Sequence, residues 1–320
     1  MNSVLAAALV VSAVFPVFAA EPKTAKKGAK EAKASDITRT YQRKVVRVTG
    51  APKSVTFVEW TRKSSKLLKP GRAWVAKFDL KDPNWRFVTW LGLTNDRSAT
   101  NRLATLDQMA DVIRAGGRNP VVGINGNYFD ASSGSINVYG PVVSDGTVLI
   151  GGGGNLLVEA EDHTFTLGGG NRIGGKEAVN KDGKKILNAT GFYMEPTIRY
   201  DHGEYKTTDN PTYPRTLIGI GEKLIAFLVS DGRQPLWSYG VEDREAVDML
   251  VSEGCHTVAE GDGGGSSSMW IANLPKKLAV RDPGYINKSS DGRPRKLGEG
   301  VFMLYEPQKT AAGKAGTSRN

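Results

Sequence analysis

The chemistry in this sequence concentrates where an apolar run meets glycine. Thr257 to Ala259 reads as the end of a strand, Glu260-Gly261 breaks it, and Asp262 stands before Gly263, Gly264 and Gly265. Three hydroxyls follow at Ser266, Ser267 and Ser268. Glycine lets the backbone approach a ligand closely. Successive N–H groups in such a turn can form a concave anion cradle. A carboxylate beside that cradle suits a site that holds phosphate or sugar and also does acid–base or nucleophilic work. The alternative is a plain turn between two strands.

Two more strand ends deliver acids beside glycine or polar groups, at Asp130 and Asp231, and a loop delivers Glu195 in Tyr193-Met-Glu-Pro196. Arg215 stands between Pro214 and an apolar run. Its planar guanidinium suits bidentate recognition of phosphate, or else a structural pairing with one of the Asp residues. Asp231, in Ser-Asp-Gly-Arg, and Asp130 can equally be turn-formers. Asn125 and Asn127 can hold sugar hydroxyls or bond backbone in a glycine turn.

These residues also carry a resemblance. Asp262-Gly-Gly-Gly-Ser-Ser-Ser-Met269 resembles the DGGGSSTM signature of the phosphodiester glycosidase family. Gly123-Ile-Asn-Gly-Asn-Tyr-Phe-Asp130, Pro214-Arg-Thr-Leu-Ile-Gly-Ile220 and Ser230-Asp-Gly-Arg-Gln-Pro235 match further blocks in the family's order. Four blocks in order are fairly specific, and the resemblance spans roughly residues 73 to 305. It implies a secreted hydrolase that cleaves a sugar 1-phosphodiester at the anomeric carbon. Asp262 would stabilise positive charge there or activate water, with Asp231 and Glu195 as further catalytic carboxylates and Glu260 in reserve. Arg215 and Gly263 to Ser267 would hold the phosphate. Asn125, Asn127, Asp130 and Arg233 complete the expected substrate-binding set. Two departures bear on sugar specificity. Glu260-Gly261 stands where the family commonly has Asn-Leu, and Gly191-Phe-Tyr-Met-Glu-Pro196 stands where it often has a glycine-rich segment.

The elements that must position these groups are mostly strands. Lys44–Thr49, Val55–Trp60, Ala73–Leu80 and Arg86–Leu91 read as strands, the last pairing with Ala73–Leu80. Thr105 caps a helix whose apolar residues are Leu106, Met109, Ala110 and Ile113, ended by Gly116-Gly117. Val121–Ile124 is a short apolar strand. Val142–Ile150, Leu156–Ala160 and Thr164–Leu167 read as a meander broken by glycine turns at 151–154 and 168–170. Thr216–Gly219 and Leu224–Val229 are strands, and Asp243–Ser252 is an amphipathic helix closed at Gly254. Val301–Tyr305 is the last strand. The fold class expected is α+β: mixed, mostly antiparallel sheets with a few flanking helices.

Composition sets the setting. Residues 4 to 19 are an apolar run ending in small residues, too short to span a bilayer comfortably, and residues 1–20 read as a cleaved secretory signal. No stable membrane insertion is expected after cleavage. Residues 21–36 are a Lys/Ala-rich linker, 37–72 an N-terminal β addition, 73–306 the glycosidase-like domain and 307–320 a disordered tail. The linker and tail contribute +5 of the net +10, so nucleic-acid binding is weakly motivated and not expected. A loose electrostatic hold on an acidic envelope polymer is more plausible. The expected location is secreted, periplasmic or cell envelope. A single cysteine, Cys255, excludes an intramolecular disulfide and reads as a buried apolar residue. His163 and His202 read as exposed and His256 as a strand start, without zinc spacing. Calcium stays possible, because carboxylates and Asn side chains line the same strand ends.

Two function classes follow. One is hydrolysis of a sugar-phosphate or polysaccharide substrate. The other is a noncatalytic protein that binds phosphate-bearing or acidic polysaccharide with the same cradle. A phosphatase-like esterase is weaker, since no dinuclear metal pattern or Ser/Cys–His pair stands out.

Overall fold

A computed structural model describes residues 37–63, 69–132, 134, 136–174, 177–192, 198–206 and 211–307. The expected signal peptide, the linker and nearly all of the tail lie outside them, as does Glu195. Every pairing between the described strands is antiparallel. The architecture is therefore mainly β, and the mixed pairing expected from sequence is not found among these residues.

The largest sheet has eight strands. In spatial order they are Tyr41–Val46, Val55–Arg62, Arg72–Asp79, Leu224–Asp231, Thr216–Gly221, Thr257–Glu260, Ile198–Asp201 and Glu204–Tyr205. Of the first two, read from sequence as an N-terminal addition, Val55–Arg62 hydrogen-bonds directly to Arg72–Asp79, and Tyr41–Val46 pairs with Val55–Arg62 as the sheet's edge. A four-stranded sheet, ordered Met269–Ile271, Pro120–Asn125, Glu299–Tyr305 and Trp85–Leu91, faces it.

Alternation along the strands decides which layers meet. Trp74, Ala76, Phe78, Phe227 and Ile218 from the large sheet share one core with Phe87, Ile124, Val301 and Met303 from the smaller. Their neighbours Val75, Leu217, Ala226 and Leu228 face the opposite way, onto the helix Asp243–Ser252. Phe302 and Leu304 likewise face the helix Leu106–Ala115. That helix begins where Thr105 was expected to cap it, with the Thr105 N–H donating to Gln108 Oε1 at 3.0 Å. The result is four layers: helix, sheet, sheet, helix.

Two sequence expectations change. Trp85–Leu91 does not pair with Arg72–Asp79; it pairs with Glu299–Tyr305. Its apolar face meets that of Arg72–Asp79 across the core, with the Phe78 and Trp85 rings 4.9 Å apart, so the turn between them crosses from one sheet to the other. The expected meander is also rearranged. Val142–Ser144 and Asn155–Ala160 flank Ile186–Phe192 in a five-stranded sheet. Ile186–Phe192 went unread because Asn188, Thr190 and Gly191 interrupt its apolar residues. In the fold, the buried Asn188 donates to Glu159 Oε2 and accepts from the Asp145 N–H.

The sheet that carries the Gly123 block is packed to contact. A methyl group on Gly123 would lie 2.4 Å from the Phe302 ring, whereas one on Gly153 would meet nothing within 4 Å. Gly123→Ala should therefore lower stability by about 1–3 kcal/mol, the usual cost of overpacking a core. Gly153→Ala should leave it unchanged. Thermal denaturation of the two variants checks this, and equal melting temperatures would contradict the packing described.

Candidate active site

The strand Thr257–Glu260 lies between Thr216–Gly221 and Ile198–Asp201 in the large sheet. The chain then leaves that sheet. The Gly261 N–H donates to Thr216 O at 2.9 Å and the Asp262 N–H to Gly126 O at 3.2 Å. It makes a short 3-10 turn at Gly264–Ser266 and enters the smaller sheet at Met269–Ile271. The glycine–serine stretch is thus a crossover between two sheets. Gly264 has φ +64, a left-handed conformation that favours glycine. A methyl on Gly265 would overlap Asp291 and Arg295.

Beside this crossover is a cleft of about 430 Å³. Gly263, Gly264 and Gly265 form one wall, and Tyr128, Tyr213 and Pro214 line it elsewhere. Its charged groups are Glu260 and Asp262 against Arg199, Arg215, Arg233 and Arg295. Glu260 and Asp262 are two residues apart on extended chain, which turns both toward one side.

Asp262 is buried, and burial pushes its carboxyl up to about 6. The Ser266 hydroxyl, the charge of Arg295 and the Gly263 N–H oppose that rise. Ser266 Oγ in turn accepts from Arg295 Nη1 at 3.2 Å, and Arg295 Nε is held by Asp291 at 2.7 Å. Glu260 has a different environment. Arg215 Nη1 reaches Oε1 and Arg199 Nη2 reaches Oε2, each at 2.6 Å. The half-buried Tyr128 senses both acids: burial, then the charges of Asp262 and Glu260, raises its hydroxyl to about 12.

Arg215 is not placed as the sequence suggested. Its Nε–H donates to Val241 O at 3.0 Å, Nη2 to Pro211 O at 3.0 Å, and Nη1 to Glu260 and to Asp243, the latter at 3.4 Å. Four interactions within the protein leave little of the guanidinium for a ligand. Arg199 makes the second ion pair to Asp243, at 3.5 Å. Asp243 itself is fully buried at the start of its helix, and burial, with Glu260 nearby, raises it to about 6.

The amide cradle is also reduced. The Gly264 N–H donates to Pro214 O at 2.9 Å, and the Gly263 N–H serves the Asp262 carboxylate. Among the described residues the Gly265 N–H makes no hydrogen bond. Two guanidiniums stand against this turn instead, Arg233 beside Gly264 and Arg295 beside Gly265. Arg233 is exposed and makes no ion pair among the described residues.

The other expected site residues lie off the cleft. Asp231 is buried, with Oδ2 accepting from Trp237 Nε1 at 2.6 Å and Oδ1 from the Lys288 N–H at 2.8 Å and Asn287 Nδ2 at 3.1 Å. Burial raises it to about 7. It organises a turn, the alternative its sequence offered, and is not among the residues that line this cleft. The Asp130 carboxylate accepts from the N–H and hydroxyl of Ser132, a local turn. The Asn125 amide bonds only protein: Nδ2 donates to Asp262 O at 2.6 Å, and Oδ1 accepts from Thr216 Oγ1 at 2.8 Å and the Ser268 N–H at 3.1 Å. Asn127 donates its N–H and Nδ2 to Glu299 Oε2, at 3.0 and 2.7 Å. Ser267 is buried and faces no cleft. Among the described residues no three His, Cys, Asp or Glu side chains gather as a metal site.

Sequence reasoning missed Arg199, Arg295 and Glu299. The arginines sit in Ile198-Arg-Tyr-Asp201 and Asp291-Gly-Arg-Pro-Arg295, with no motif to mark them. Glu299 is fully buried below Gly126 with no counter-ion, and burial lifts it to about 7.

The phosphodiester glycosidase profile matches residues 118–304, which contain all of these cleft residues. Among solved structures, the fold is similar to the zebrafish N-acetylglucosamine-1-phosphodiester alpha-N-acetylglucosaminidase catalytic domain, auto-inhibited by its pro-peptide. The two share 15% identity over 83% of this chain and 88% of that one, at a TM-score of 0.58. A hypothetical protein from Synechocystis is similar over 83% of this chain and 68% of its own, at 10% identity and a TM-score of 0.53. No curated protein sequence matches the chain significantly. These likenesses are of fold.

Two measurements check the site's energetics. Arg215→Met leaves Glu260 and Asp243 with Arg199 alone, and should destabilise the protein by about 3–5 kcal/mol, as breaking a buried pair does. An unchanged melting temperature would return Arg215 to the ligand. The second concerns pH. Asp231 and Glu299 are raised to about 7, and Asp262 and Asp243 to about 6. The folded state then holds more protons than the unfolded state between their ordinary values near 4 and those raised values. Stability is present in full below that window and is lost as pH rises through it. Denaturant midpoints should fall from pH 5 to pH 8, by on the order of 1 kcal/mol or more per group. Glu299→Gln should flatten that slope; a slope equal to the wild type's would mean Glu299 does not titrate as described.

Proposed function

The chain belongs to the phosphodiester glycosidase family, and from that premise we propose that it hydrolyses a sugar 1-phosphodiester at the anomeric carbon. The observation that carries this reading is the division of labour in the cleft. Asp262 is oriented by Ser266 and Gly263 and bears no ion pair among the described residues, while Glu260 is clamped by two guanidiniums. Environments that separate two neighbouring acids assign them different work.

A phosphate departs as a stable anion, so the reaction needs less acid assistance than cleavage of an ordinary glycoside. Its requirements are a carboxylate at the anomeric carbon and donors for the departing phosphate. Asp262 is the carboxylate. The Ser266 hydroxyl and the Gly263 N–H fix its oxygens, and it accepts the proton of the attacking water. Glu260, clamped between Arg199 and Arg215, fixes the cleft wall beside Asp262. Arg233, Arg295 and the Gly265 N–H are the phosphate donors. Arg215, first expected there, serves one step back by holding Glu260. The substrate is expected on envelope or extracellular polysaccharide, where an exported protein would meet it.

Asp262→Asn tests this. The amide keeps an oxygen acceptor for Ser266 and Gly263 and removes the charge. Turnover of a sugar 1-phosphodiester should fall by on the order of a hundredfold or more, while binding persists. In the wild type, kcat/KM should fall as pH drops below about 6, where Asp262 takes up its proton. Full turnover by the variant would move the catalytic carboxylate elsewhere. Binding without turnover in both proteins would establish the noncatalytic polysaccharide-binding reading instead.

A further inference from the structure

Asp231 is a buried acid from a matched sequence block, yet it lies off the cleft. Its partners show what it builds. Trp237 Nε1 and the Lys288 N–H both donate to it, and Ser238 Oγ donates to its backbone oxygen at 2.8 Å. The loop from Arg233 to Tyr239 is closed by bonds from the Gln234 N–H to Ser238 O at 2.9 Å and the Arg233 N–H to Tyr239 O at 3.1 Å. Gln234 Nε2 also reaches Lys288 O at 2.9 Å, and the Tyr239 N–H donates to Pro70 O at 2.8 Å. This loop is rigid by construction.

What it presents is apolar. Leu236, at its tip, is 103% exposed, and Pro235 beside it is exposed too. A single exposed leucine is ordinary on a protein surface. Here the same loop and its neighbours carry cations laid over aromatic faces. Arg72 lies over Trp237 at 3.9 Å with Lys288 at 5.7 Å, Lys69 lies over Tyr239 at 4.6 Å, and Arg233 over Tyr213 at 5.3 Å. Among the described residues Glu59, at 3.3 Å from Arg72, is the one acid that forms an ion pair with any of these cations. An apolar tip on a loop that also carries cations and aromatic rings matches the boundary layer of an anionic bilayer: acyl region for the leucine, headgroup phosphates for the cations. A polyanionic sugar polymer would use the cations but give Leu236 no apolar contact. Arg233 ends this loop and also lines the cleft, so a surface that receives Leu236 lies beside the cleft mouth.

We propose that the Arg233–Tyr239 loop docks the protein peripherally on an anionic phospholipid surface, with Leu236 entering the apolar boundary. The docking does not rest on the glycosidase reading; joined to it, docking selects sugar phosphodiesters presented at a bilayer.

Co-sedimentation of the full chain with phosphatidylglycerol/phosphatidylcholine vesicles, against phosphatidylcholine alone, tests the proposal. Binding should require the anionic lipid. Leu236→Ser should weaken it at least fivefold without changing the melting temperature, because Leu236 packs on nothing in the fold. Lys69→Glu with Lys288→Glu should weaken it comparably. Absence of binding to the anionic vesicles would overturn the proposal. So would undiminished binding by Leu236→Ser, the behaviour of a purely electrostatic hold of the kind the Lys-rich linker or an acidic polysaccharide would give. Turnover of a soluble sugar phosphodiester, measured on the same samples, separates the two ideas. An inactive wild type that still binds vesicles would count against the glycosidase reading alone.

Discussion

One amide side chain holds the active end of this fold together. Asn125 is the last residue of a strand in the smaller sheet, yet it bonds Thr216 in the large sheet and both ends of the crossover, at Asp262 and Ser268. It is almost wholly buried, so these bonds form without competition from water. Two packed sheets are free to slide or splay at their ends unless something spans them. Here a donor and an acceptor on one short side chain do so: Nδ2 donates to the Asp262 carbonyl, and Oδ1 accepts from Thr216 and the Ser268 N–H. The backbone that carries the catalytic candidate is therefore fixed relative to both sheets at once. The rest of the cleft depends on that: Gly126 can offer its carbonyl to the Asp262 N–H only while the strand ends stay in register.

Charge in the cleft is arranged on the same frame. Arg215 and Arg199 come from strands on either side of Thr257–Glu260 and close on Glu260 from opposite oxygens. Asp243, at the start of its helix, lies within reach of both arginines. A carboxylate there also gains from the helix dipole. Two acids and two arginines thus compensate each other, while Arg233 and Arg295 face the glycine turn across the cleft. Arg295 is paired with Asp291, so the cation on that side without an ion pair among the described residues is Arg233, beside Gly264. That asymmetry argues for an anionic group at one end of a bound ligand.

Much of the fold was legible because its strands alternate and its helices carry caps. The Leu106–Ala115 helix followed from Thr105 and its apolar spacing. The cleft acids Glu260 and Asp262 followed from an apolar run ending at glycine. Pairing was less legible. Nothing in Arg72–Asp79 or Trp85–Leu91 says whether two apolar faces meet edge to edge or across a core; the turn decides, and its residues fit both. Ile186–Phe192 hid because its buried Asn188 is polar for reasons supplied elsewhere, by Glu159 and Asp145. Site roles were the least legible part. Type and motif marked Arg215 as a phosphate ligand, but its donors are consumed by Val241, Pro211, Glu260 and Asp243, which come together only in the fold. Arg199 and Arg295 had the opposite problem, reaching the cleft from segments without a motif.

Burial alone does not single out the catalytic acid. Asp231, Glu299 and Asp262 are all lifted by desolvation. What separates them is where the proton can go. Asp231 accepts three hydrogen bonds from protein donors beneath a closed loop, and Glu299 sits below Gly126, away from the residues that line the cleft. Protonation of either stabilises the fold and does nothing to a ligand. Asp262 lines the cleft, and its two protein donors, the Ser266 hydroxyl and the Gly263 N–H, leave acceptor capacity toward the open side. A carboxylate that is desolvated enough to hold its proton near pH 6, oriented by donors behind it and open in front is poised for proton transfer with a bound water. The same desolvation without the opening makes a structural acid. Position relative to the crossover therefore separates the acid that lines the cleft from the two that do not.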